Sequence, residues 1–339
     1  MRMRLIVVVI FLALLPMAFA QPAVKAACDR ACLENYVDRY MDAMLAHNPS
    51  PTLFARECKF TENGVRLPLG NEGLWFAMSG KGTYKFYIPD VETQQIAFIG
   101  TAREGGSAPG AKTAAAPGSK PQEPAVVAIA LRLKIADKLI TEVEQLVIRP
   151  ETSLFGGGSG SSFPPTGVSV EKIGSPHKVY TEVIPEGERP SREELIKTAN
   201  YYFTGLQRND GKGYYPFTDD CDRLENGMQT TNIPMKDPQT GQTTKMGCKK
   251  QFEEGLKGVV SRIRDRRFVA VDRERGIVFA FGFFDHEQIN WTWQIAELFK
   301  IEKGNIRRIE AVFHRCPYGM NSGWSTYEQG LSDQIQSIR

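Results

Sequence analysis

The chain contains one short motif twice, and this repetition decides the fold. Residues 58–64 read CKFTENG and residues 221–227 read CDRLENG, so that Cys, Glu, Asn and Gly recur at the same places. An aromatic residue precedes both copies, Phe54 in the first and Phe217 in the second. A motif that recurs together with its surroundings indicates an internal repeat.

The segments on either side of the motif repeat as well. Upstream, apolar residues recur at three- and four-residue steps within 33–45 and again within 195–206, which predicts two amphipathic helices. Downstream, ITEVEQLVIR at 140–149 matches IRRIEAVFHR at 306–315. Because helix, motif and final segment keep the same order, the sequence predicts two copies of one folding unit.

The second copy shows how each unit is built. Its residues 268–270, 277–284, 291–301 and 306–313 are rich in β-branched and aromatic residues, which favour strands. Gly-containing turn signals separate three of these segments. Consecutive strands joined by tight turns form antiparallel hairpins rather than βαβ units, so the predicted class is α+β.

Composition divides the remainder of the chain. Residues 104–124 are rich in Gly, Ala, Pro and Lys, and they predict a mobile insertion between two strands of the first unit. Residues 151–190 carry a Gly/Ser run and several prolines, typical of a linker without core residues, in which 179–183 is expected to pack as an extended strand. We therefore expect a first domain at 28–150 and a second domain at 191–326.

The N-terminal twenty residues have the organisation of a signal peptide. Arg2 and Arg4 precede an apolar run at residues 5–15, and residues 18–20 read AFA, a small-x-small cleavage pattern. This apolar run is too short for a membrane span, which needs about 20 residues, and an uncleaved anchor is the alternative. We expect cleavage after residues 1–20, a periplasmic or secreted protein, and no membrane span in the mature chain.

The charge balance argues against a nucleic-acid partner. The formal net charge of +3 falls to +1 when the two N-terminal arginines are removed. The basic cluster at 262–267 is interrupted by Asp265, and we interpret it as a solvated surface rather than a phosphate-binding patch.

The chain has six cysteines, an even number that predicts disulfides in an oxidising compartment. Cys221 and Cys248 bracket one turn-rich segment, so we expect them to pair. We also expect Cys58 to pair with Cys28 or with Cys32. Because no His lies near Cys28 and Cys32 in the sequence, no metal site is predicted there.

Four sequence motifs carry a resemblance to a known superfamily. They are FTENG at 60–64, LPLG at 67–70, GLW at 73–75 and ERPSREEL at 188–195. With the long helix and a meander that closes on Ile-x-x-Ile-Glu, they make the chain similar to the SnoaL-like, or nuclear-transport-factor-two-like, superfamily, and within it to a family of exported tandem proteins. The resemblance implies two tandem cone-shaped domains, each a bent antiparallel sheet wrapped around helices, with a cavity at the open end.

The resemblance implies a pocket but no single activity. The superfamily includes polyketide cyclases, ketosteroid isomerases, dehydratases, epoxide hydrolases and non-catalytic binding domains. Function therefore has to be argued from the residues of the site rather than from the fold.

Four residues of the second unit are candidate acids and bases: Glu225, His286, Glu310 and His314. A carboxylate such as Glu225, beside apolar walls, would have a raised pKa and suit proton transfer. Strand alternation places Glu310 and His314 on one face, interpreted as an acid/base pair on the inner face near a pocket mouth. His286 follows an aromatic strand and has an unperturbed pKa near neutrality. The alternatives are a turn cap, a salt bridge and two solvent-exposed histidines.

A second set of residues is expected to bind the substrate. We expect Arg223 and Asn226 to orient it, while aromatic side chains line the pocket. The alternatives are that Asn226 forms only a tight turn and that the aromatic residues form only the core. The aromatic candidates are Tyr202, Trp291, Trp293 and Tyr318.

These observations predict an exported pocket protein, interpreted as a lyase, isomerase or hydrolase that acts on a hydrophobic small molecule by acid/base catalysis. No cofactor and no metal are predicted. The alternative is a non-catalytic small-molecule-binding or envelope scaffold protein. Whether the protein is an enzyme and whether it forms an oligomer are both left open, and the sequence does not identify a substrate.

Overall fold

The computed structural model describes residues 27–105, 123–150, 165–236, 241–255 and 260–336. The expected signal peptide lies outside these residues, as do most of the expected insertion and the Gly/Ser run of the expected linker. No helix within the described ranges is long and apolar enough to cross a membrane.

The first half of the chain folds into two helices and six strands. They are α1 (Arg30–Leu45), β1 (Phe54–Glu62), β2 (Val65–Arg66), α2 (Leu74–Ala77), β3 (Met78–Asp90), β4 (Gln95–Glu104), β5 (Ala125–Ala136) and β6 (Leu139–Ile148). Helix α1 begins where the Asp29 side chain accepts a hydrogen bond from the backbone N–H of Cys32, a donor that the helix leaves free. Its residues Leu33, Val37 and Tyr40, at helical spacing, are buried.

The second half repeats this pattern after a connecting helix. Its elements are α3 (Thr166–Ile173), α4 (Arg192–Arg208), β7 (Phe217–Glu225), β8 (Met228–Gln229), β9 (Met235–Lys236), β10 (Thr243–Thr244), α5 (Cys248–Lys250), β11 (Arg262–Asp272), β12 (Ile277–His286), β13 (Trp291–Glu302), β14 (Asn305–Pro317) and α6 (Tyr327–Leu331). Ser191 and Glu194 form a capping box at the start of α4. Asn209, in the left-handed conformation, ends this helix.

The two halves share one sheet topology. The first sheet has the order β2-β1-β6-β5-β4-β3, and the second has the order β8-β7-β14-β13-β12-β11. In both sheets the first strand runs parallel to the last strand. The register repeats too, since Glu62 lies opposite Gln145 and Glu225 lies opposite Ala311. The predicted α+β class, with one sheet in each half, is confirmed.

The repeated Glu-Asn-Gly motif forms the turn that follows the first strand of each sheet. Asn63 lies in the left-handed region, and its side chain bonds both the N–H and the carbonyl group of Val147. Asn226 bonds Phe313 in the same two ways. Each asparagine thus extends the parallel ladder by one step with its side chain, which explains why the motif recurs.

The glycine of each motif lets the chain of the other half approach. At Gly64, φ is +77°, and a Cβ atom would lie 2.7 Å from the carbonyl oxygen of Asn321, which follows the second sheet. At Gly227, φ is +80°, and a Cβ atom would lie 2.5 Å from the backbone of Ser169, in the helix that follows the first sheet. Conformation and space both exclude a side chain. The turn of each half is therefore covered by the segment that leaves the other half.

Each sheet packs one face against its own helix, and we call this the helix face. Helix α1 covers the first sheet in a core that contains Tyr40, Phe54 and Trp75. Helix α4 covers the second sheet in a core that contains Tyr202 and Phe203. The rings of these residues pack mostly edge to face, an arrangement that aromatic pairs prefer.

The opposite faces of the two sheets, which we call the shared faces, pack against each other. Their common core also contains Val170, Val179 and Tyr180 from the segment 165–190. This segment therefore differs from the expected linker without core residues and from the expected strand. Residues 166–173 form a helix and 178–181 a 3-10 turn, because their apolar side chains fill space between the sheets. The sheets contribute Tyr84, Ile99, Leu146, Phe279, Leu298 and Val312, among others.

The interpretation of the basic segment 262–267 as a solvated surface is wrong. Arg264 is fully buried and bonds the carboxylate of Asp285. Arg267 is also buried and bonds Glu144 of the first sheet at 2.6 Å. Arginines this deep are normally paired, so the run of charges belongs to the interior and to the contact between the sheets.

Equivalent ion pairs cross between the halves in both directions. Arg30, the first residue of α1, bonds Asp272 at the end of β11, with N–O distances of 2.8 and 2.9 Å. Arg192, the first residue of α4, lies 2.6 Å from Asp90 at the end of β3. The side chains of the two aspartates are only 2% and 0% exposed. The halves therefore meet through the same surface on each, as two subunits related by a twofold axis do.

Removing the arginine of one pair is expected to destabilise the protein. Arg192→Ala leaves the buried carboxylate of Asp90 without its counter-ion, and this loss should lower the free energy of unfolding by about 3 kcal/mol. Urea denaturation measures the change. Arg208→Ala, which removes the exposed ion pair between the last residue of the same helix and Asp210, should leave the midpoint unchanged. Equal effects of the two substitutions would contradict the role of the crossing pair.

Each disulfide lies within one half of the chain. Cys221 pairs with Cys248, as predicted, with a Cα–Cα distance of 5.7 Å. Cys28 pairs with Cys32, so the expected pairing of Cys58 with one of them is wrong. The start of α1 brings two cysteines four residues apart together, while Cys58 lies half-buried against the core of the first sheet as a free thiol.

Thiol counting tests this pairing. Unfolded but unreduced protein should react with two equivalents of a thiol reagent, at Cys58 and Cys316. Cys58→Ser should lower the count to one, whereas Cys32→Ser should raise it to three because it frees Cys28. A count that rises in Cys58→Ser would instead show that Cys58 has a disulfide partner.

Candidate functional site

The helix face of the second sheet carries carboxyl groups on nearby strands. Glu297 of β13 lies opposite Ala311 of β14, which lies opposite Glu225 of β7. Directly paired residues project from the same face of a sheet, and Ala311 belongs to the core beneath α4. Glu225 and Glu297 therefore project from the helix face with one alanine between them.

Glu297 is an ionisable side chain that is buried without a hydrogen-bond partner. Its exposure is 0%, and neither carboxyl oxygen has a close hydrogen-bond partner, although the Tyr202 hydroxyl lies near enough to act on the carboxyl group. Burial, reinforced by the charge of Glu225, raises the pKa of Glu297 to about 8, although the nearby Arg223 and Tyr202 act in the opposite direction. The carboxyl group is therefore mostly protonated at neutral pH and holds a transferable proton.

Arg223 anchors this group of side chains. Its guanidinium lies 3.5 Å from a carboxylate oxygen of Glu225. Because Arg223 is only 4% exposed, its charge acts on its neighbours with little screening by solvent. Three donor–acceptor contacts hold it in place, to Gln251 at 2.7 Å, Thr230 at 3.1 Å and Tyr202 at 3.4 Å.

The first sheet has different residues at the equivalent positions. Leu131 of β5 pairs with Gln145 of β6, just as Glu297 pairs with Ala311. Leucine thus replaces the buried acid, and glutamine replaces the alanine that separates the two carboxyl groups. The difference between the halves is one of side chains on the same sheet topology.

In the first sheet these side chains form a closed network. Gln145 accepts a hydrogen bond from the Tyr40 hydroxyl at 2.8 Å and donates one to Glu62 at 3.1 Å. The Trp75 indole donates to Tyr40, and Arg149 donates to the second oxygen of Glu62. Every polar group named here has a partner, so the first half holds no free acid at this place.

Aromatic side chains lead from the carboxyl groups of the second sheet to its end. Alternation along β13 places Trp293 and Trp291 on the helix face. The Trp293 ring centroid lies 4.8 Å from that of Phe313 and 4.3 Å from that of His286, and Arg315 lies 3.8 Å over the Trp291 ring. We call these five residues the aromatic mouth. Burial lowers the pKa of His286, which keeps its ring neutral.

Most of the predicted site residues gather on this helix face, but Asn226 and Tyr318 do not contribute to it as expected. The amide of Asn226 is held by two hydrogen bonds to the backbone of Phe313, which fix its orientation as part of the turn. Tyr318 lies beyond β14 and is 39% exposed. The residues that gather are Tyr202, Arg223, Glu225, His286, Trp291 and Trp293.

The predicted placement of Glu310 and His314 on the inner face is wrong. Glu310 lies opposite Leu298, which belongs to the core between the sheets, so Glu310 projects from the shared face. His314, four residues further along the strand, projects from the same face. Tyr84 of the first sheet donates a hydrogen bond to Glu310 at 3.2 Å. The reason is the register of β14, in which Ala311 and every second residue from it project from the helix face. Glu310 and His314 therefore project from the opposite face.

Both residues have shifted pKa values in this contact between the sheets. Burial raises the pKa of Glu310 to about 7, against the lowering effects of Arg308 and the Tyr84 hydroxyl. Burial, with the positive charge of Arg149, lowers the pKa of His314 to about 4. Their ionisation is therefore linked to the packing of one sheet on the other rather than to the helix face.

Sequence reasoning misses Glu297, Gln251 and Arg315. A signal for Glu297 is present, because alternation in WTWQIAELF at 291–299 places this carboxylate in register with the two tryptophans. Gln251 lies in a short π-helical turn that no periodicity marks. Arg315 matches Arg149 in the repeat, and only their different partners distinguish them.

Other places within the described residues offer less chemistry. A groove of about 600 Å³ runs along α4 and is lined by Lys197, Tyr201 and Tyr214, among others. Its lining includes neither Glu225 nor Glu297. No three His, Cys, Asp or Glu side chains in the described part of the chain are arranged to hold a metal ion.

The comparisons with known proteins assign no activity. Residues 188–313 match the model of a family described as a domain of unknown function, DUF8021. No curated protein matches the chain. Among solved structures, the chain is similar to a de novo designed protein with a curved β-sheet, at 17% identity and a TM-score of 0.25, over 37% of this chain and 88% of that chain.

The raised pKa of Glu297 makes stability depend on pH. The folded protein keeps this carboxyl protonated, whereas the unfolded chain ionises it above about pH 4.5. Its contribution to stability is therefore full at low pH and is lost as the pH rises from about 4.5 to about 8. Relative to wild type, Glu297→Gln should gain about 2–4 kcal/mol in free energy of unfolding between pH 5 and pH 8.

Urea denaturation at the two pH values measures this gain. Glu287→Gln removes an exposed carboxylate near the aromatic mouth, and its difference from wild type should not change with pH. If the difference between Glu297→Gln and wild type is the same at both pH values, the carboxyl is not held protonated by the fold.

Proposed function

We propose that the protein is an exported pocket protein of the SnoaL-like kind, in which each sheet bends as a cone around its helix. In this proposal the second half holds an acid/base site of the lyase or isomerase type for a hydrophobic small molecule. Two disulfides support an oxidising compartment. The gathering of acidic, basic and aromatic side chains on one helix face supports a site there.

One observation carries the proposal: Glu297 is a buried acid whose carboxyl oxygens have no close hydrogen-bond partner, and only the Tyr202 hydroxyl approaches them. Buried polar atoms in folded proteins nearly always have partners, and the first half places Leu131 at the same position. A fold that can use leucine here gains no stability from an unpaired acid. Two carboxyl groups in different environments, one of them with a strongly raised pKa, are typical of acid/base pairs.

The geometry suggests a role for each side chain. Glu225, with a side chain 25% exposed, is the base that removes a proton from a substrate carbon. Glu297 donates its proton to the substrate oxygen on which negative charge develops. The fixed charge of Arg223 stabilises that negative charge. One proton is taken and one is given, so the pair returns to its starting state after the two carboxyl groups exchange a proton through product or solvent.

A non-catalytic ligand-binding protein is the second candidate. It is favoured by the close packing of rings in the aromatic mouth, which offers contact area for a flat ligand and contains no carboxyl group.

Elimination of 5-nitrobenzisoxazole tests the proposed pair without knowledge of the natural substrate. A base removes the ring C–H proton, the N–O bond breaks, and the phenolate oxygen accepts a proton. We expect wild-type protein to exceed the rate of an equal concentration of acetate. Glu225→Gln and Glu297→Gln should each lower kcat/KM by about 10²-fold, the usual contribution of a positioned acid or base.

Glu287→Gln removes the same charge from an exposed position and should leave the rate unchanged. Circular dichroism establishes that each variant is folded. Folded wild-type protein that is no faster than acetate, or site variants that match wild type, would reject the enzyme proposal and leave the binding protein.

A further inference from the structure

An arginine at one end of the first sheet has two counter-ions. Arg149 donates to both oxygens of Glu104 at 2.8–3.0 Å and to Glu62 at 2.7 Å. Glu104 is the last residue of β4 and lies opposite Ala125, the first residue of β5. The positive charge is therefore neutralised within the first half.

The equivalent arginine of the second sheet has lost these counter-ions. The position of Glu104 is taken by His286, the last residue of β12, which lies opposite Trp291, the first residue of β13. Glu225, the equivalent of Glu62, pairs with Arg223 instead. Within the described residues, Arg315 has no carboxylate at ion-pair distance, and its guanidinium lies over the Trp291 ring.

Two neighbours of Arg315, Trp291 and His286, carry hydrogen-bond donors that have no close acceptor. The indole Nε1–H of Trp291 is buried and has no partner. His286 is only 6% exposed, and its ring nitrogens have no close hydrogen-bond partner, although the backbone of Phe284 lies near enough to act on the ring. A neutral imidazole carries one N–H donor, so two donors and one cation surround flat aromatic surfaces. Such a site is complementary to a planar ligand with acceptor atoms and a negative charge.

We propose that the aromatic mouth binds a planar aromatic carboxylate, whose carboxylate group takes beside Arg315 the place that the side chain of Glu104 takes beside Arg149. The inference rests on the proposed function, because it names the ligand class of the same helix face. Trp291 and Trp293 contribute ring contacts, and bidentate bonding to the guanidinium fixes the orientation of the ligand.

The strand register sets the length of this ligand. Arg315 is four residues along β14 from Ala311, which lies opposite Glu225. At about 3.3 Å per residue, the two rows of side chains are roughly 13 Å apart. A ligand that is held by Arg315 and reaches the carboxyl groups therefore needs two or three fused rings.

Isothermal titration calorimetry with 2-naphthoate and with neutral 2-naphthylmethanol tests the proposal on the full chain. Wild-type protein should bind the naphthoate more tightly than the alcohol. Arg315→Gln should weaken naphthoate binding at least tenfold and leave binding of the alcohol unchanged. Arg315→Lys keeps the charge and should retain part of the affinity. Arg56→Gln, at a side chain 96% exposed on the first sheet, should bind as wild type does.

His286→Glu restores the carboxylate of the first half and supplies Arg315 with an internal counter-ion, so it should also weaken naphthoate binding at least tenfold. Equal affinity for naphthoate and alcohol, or full affinity in Arg315→Gln, would overturn the proposal. Arg315-dependent binding without benzisoxazole turnover would refute the enzyme and leave the ligand class standing. Turnover of the benzisoxazole without naphthoate binding would refute the ligand class and leave the proposed enzyme standing.

Discussion

The structure depends on the burial of one sheet against the other. Each sheet has two apolar faces, but the helices α1 and α2 of the first half and α4 and α5 of the second cover only one face of their own sheet. The second face is covered by the other half and by the segment 165–190. Because both halves use the same surface, equivalent residues form the same contact twice. Arg30 pairs with Asp272, and Arg192 pairs with Asp90. Duplication is thus a solution to a packing requirement.

The two halves also show what duplication permits. In the first half, the polar side chains of the helix face complete one another through Gln145 and Arg149. In the second half, Glu297 and Arg315 occupy the same framework without such partners. The well-satisfied half and the extensive contact between the sheets provide stability, so the other half can keep groups that stability alone does not favour.

The sequence predicted the elements that depend on local pattern. The helices follow from apolar spacing, the class follows from the hairpin-like strands, and the Cys221–Cys248 pair follows from the turn-rich segment that these cysteines bracket. It failed where the outcome depends on which face meets which partner. Alternation correctly put Glu310 and His314 on one face, but it could not tell that this face meets Tyr84 rather than a pocket. Glu297 was missed because a glutamate in a strand is usually solvent-exposed or paired.

The two glycine turns have a consequence for the independence of the two copies. In each copy, the segment after the last strand covers the glycine turn of the other copy. The segment after the first sheet lies against Gly227, and the segment after the second sheet lies against Gly64. A chain reduced to one copy would expose its own glycine turn. It would also keep a covering segment whose binding partner is missing. The two copies are therefore expected to fold as one cooperative unit, because neither copy can cover its own turn.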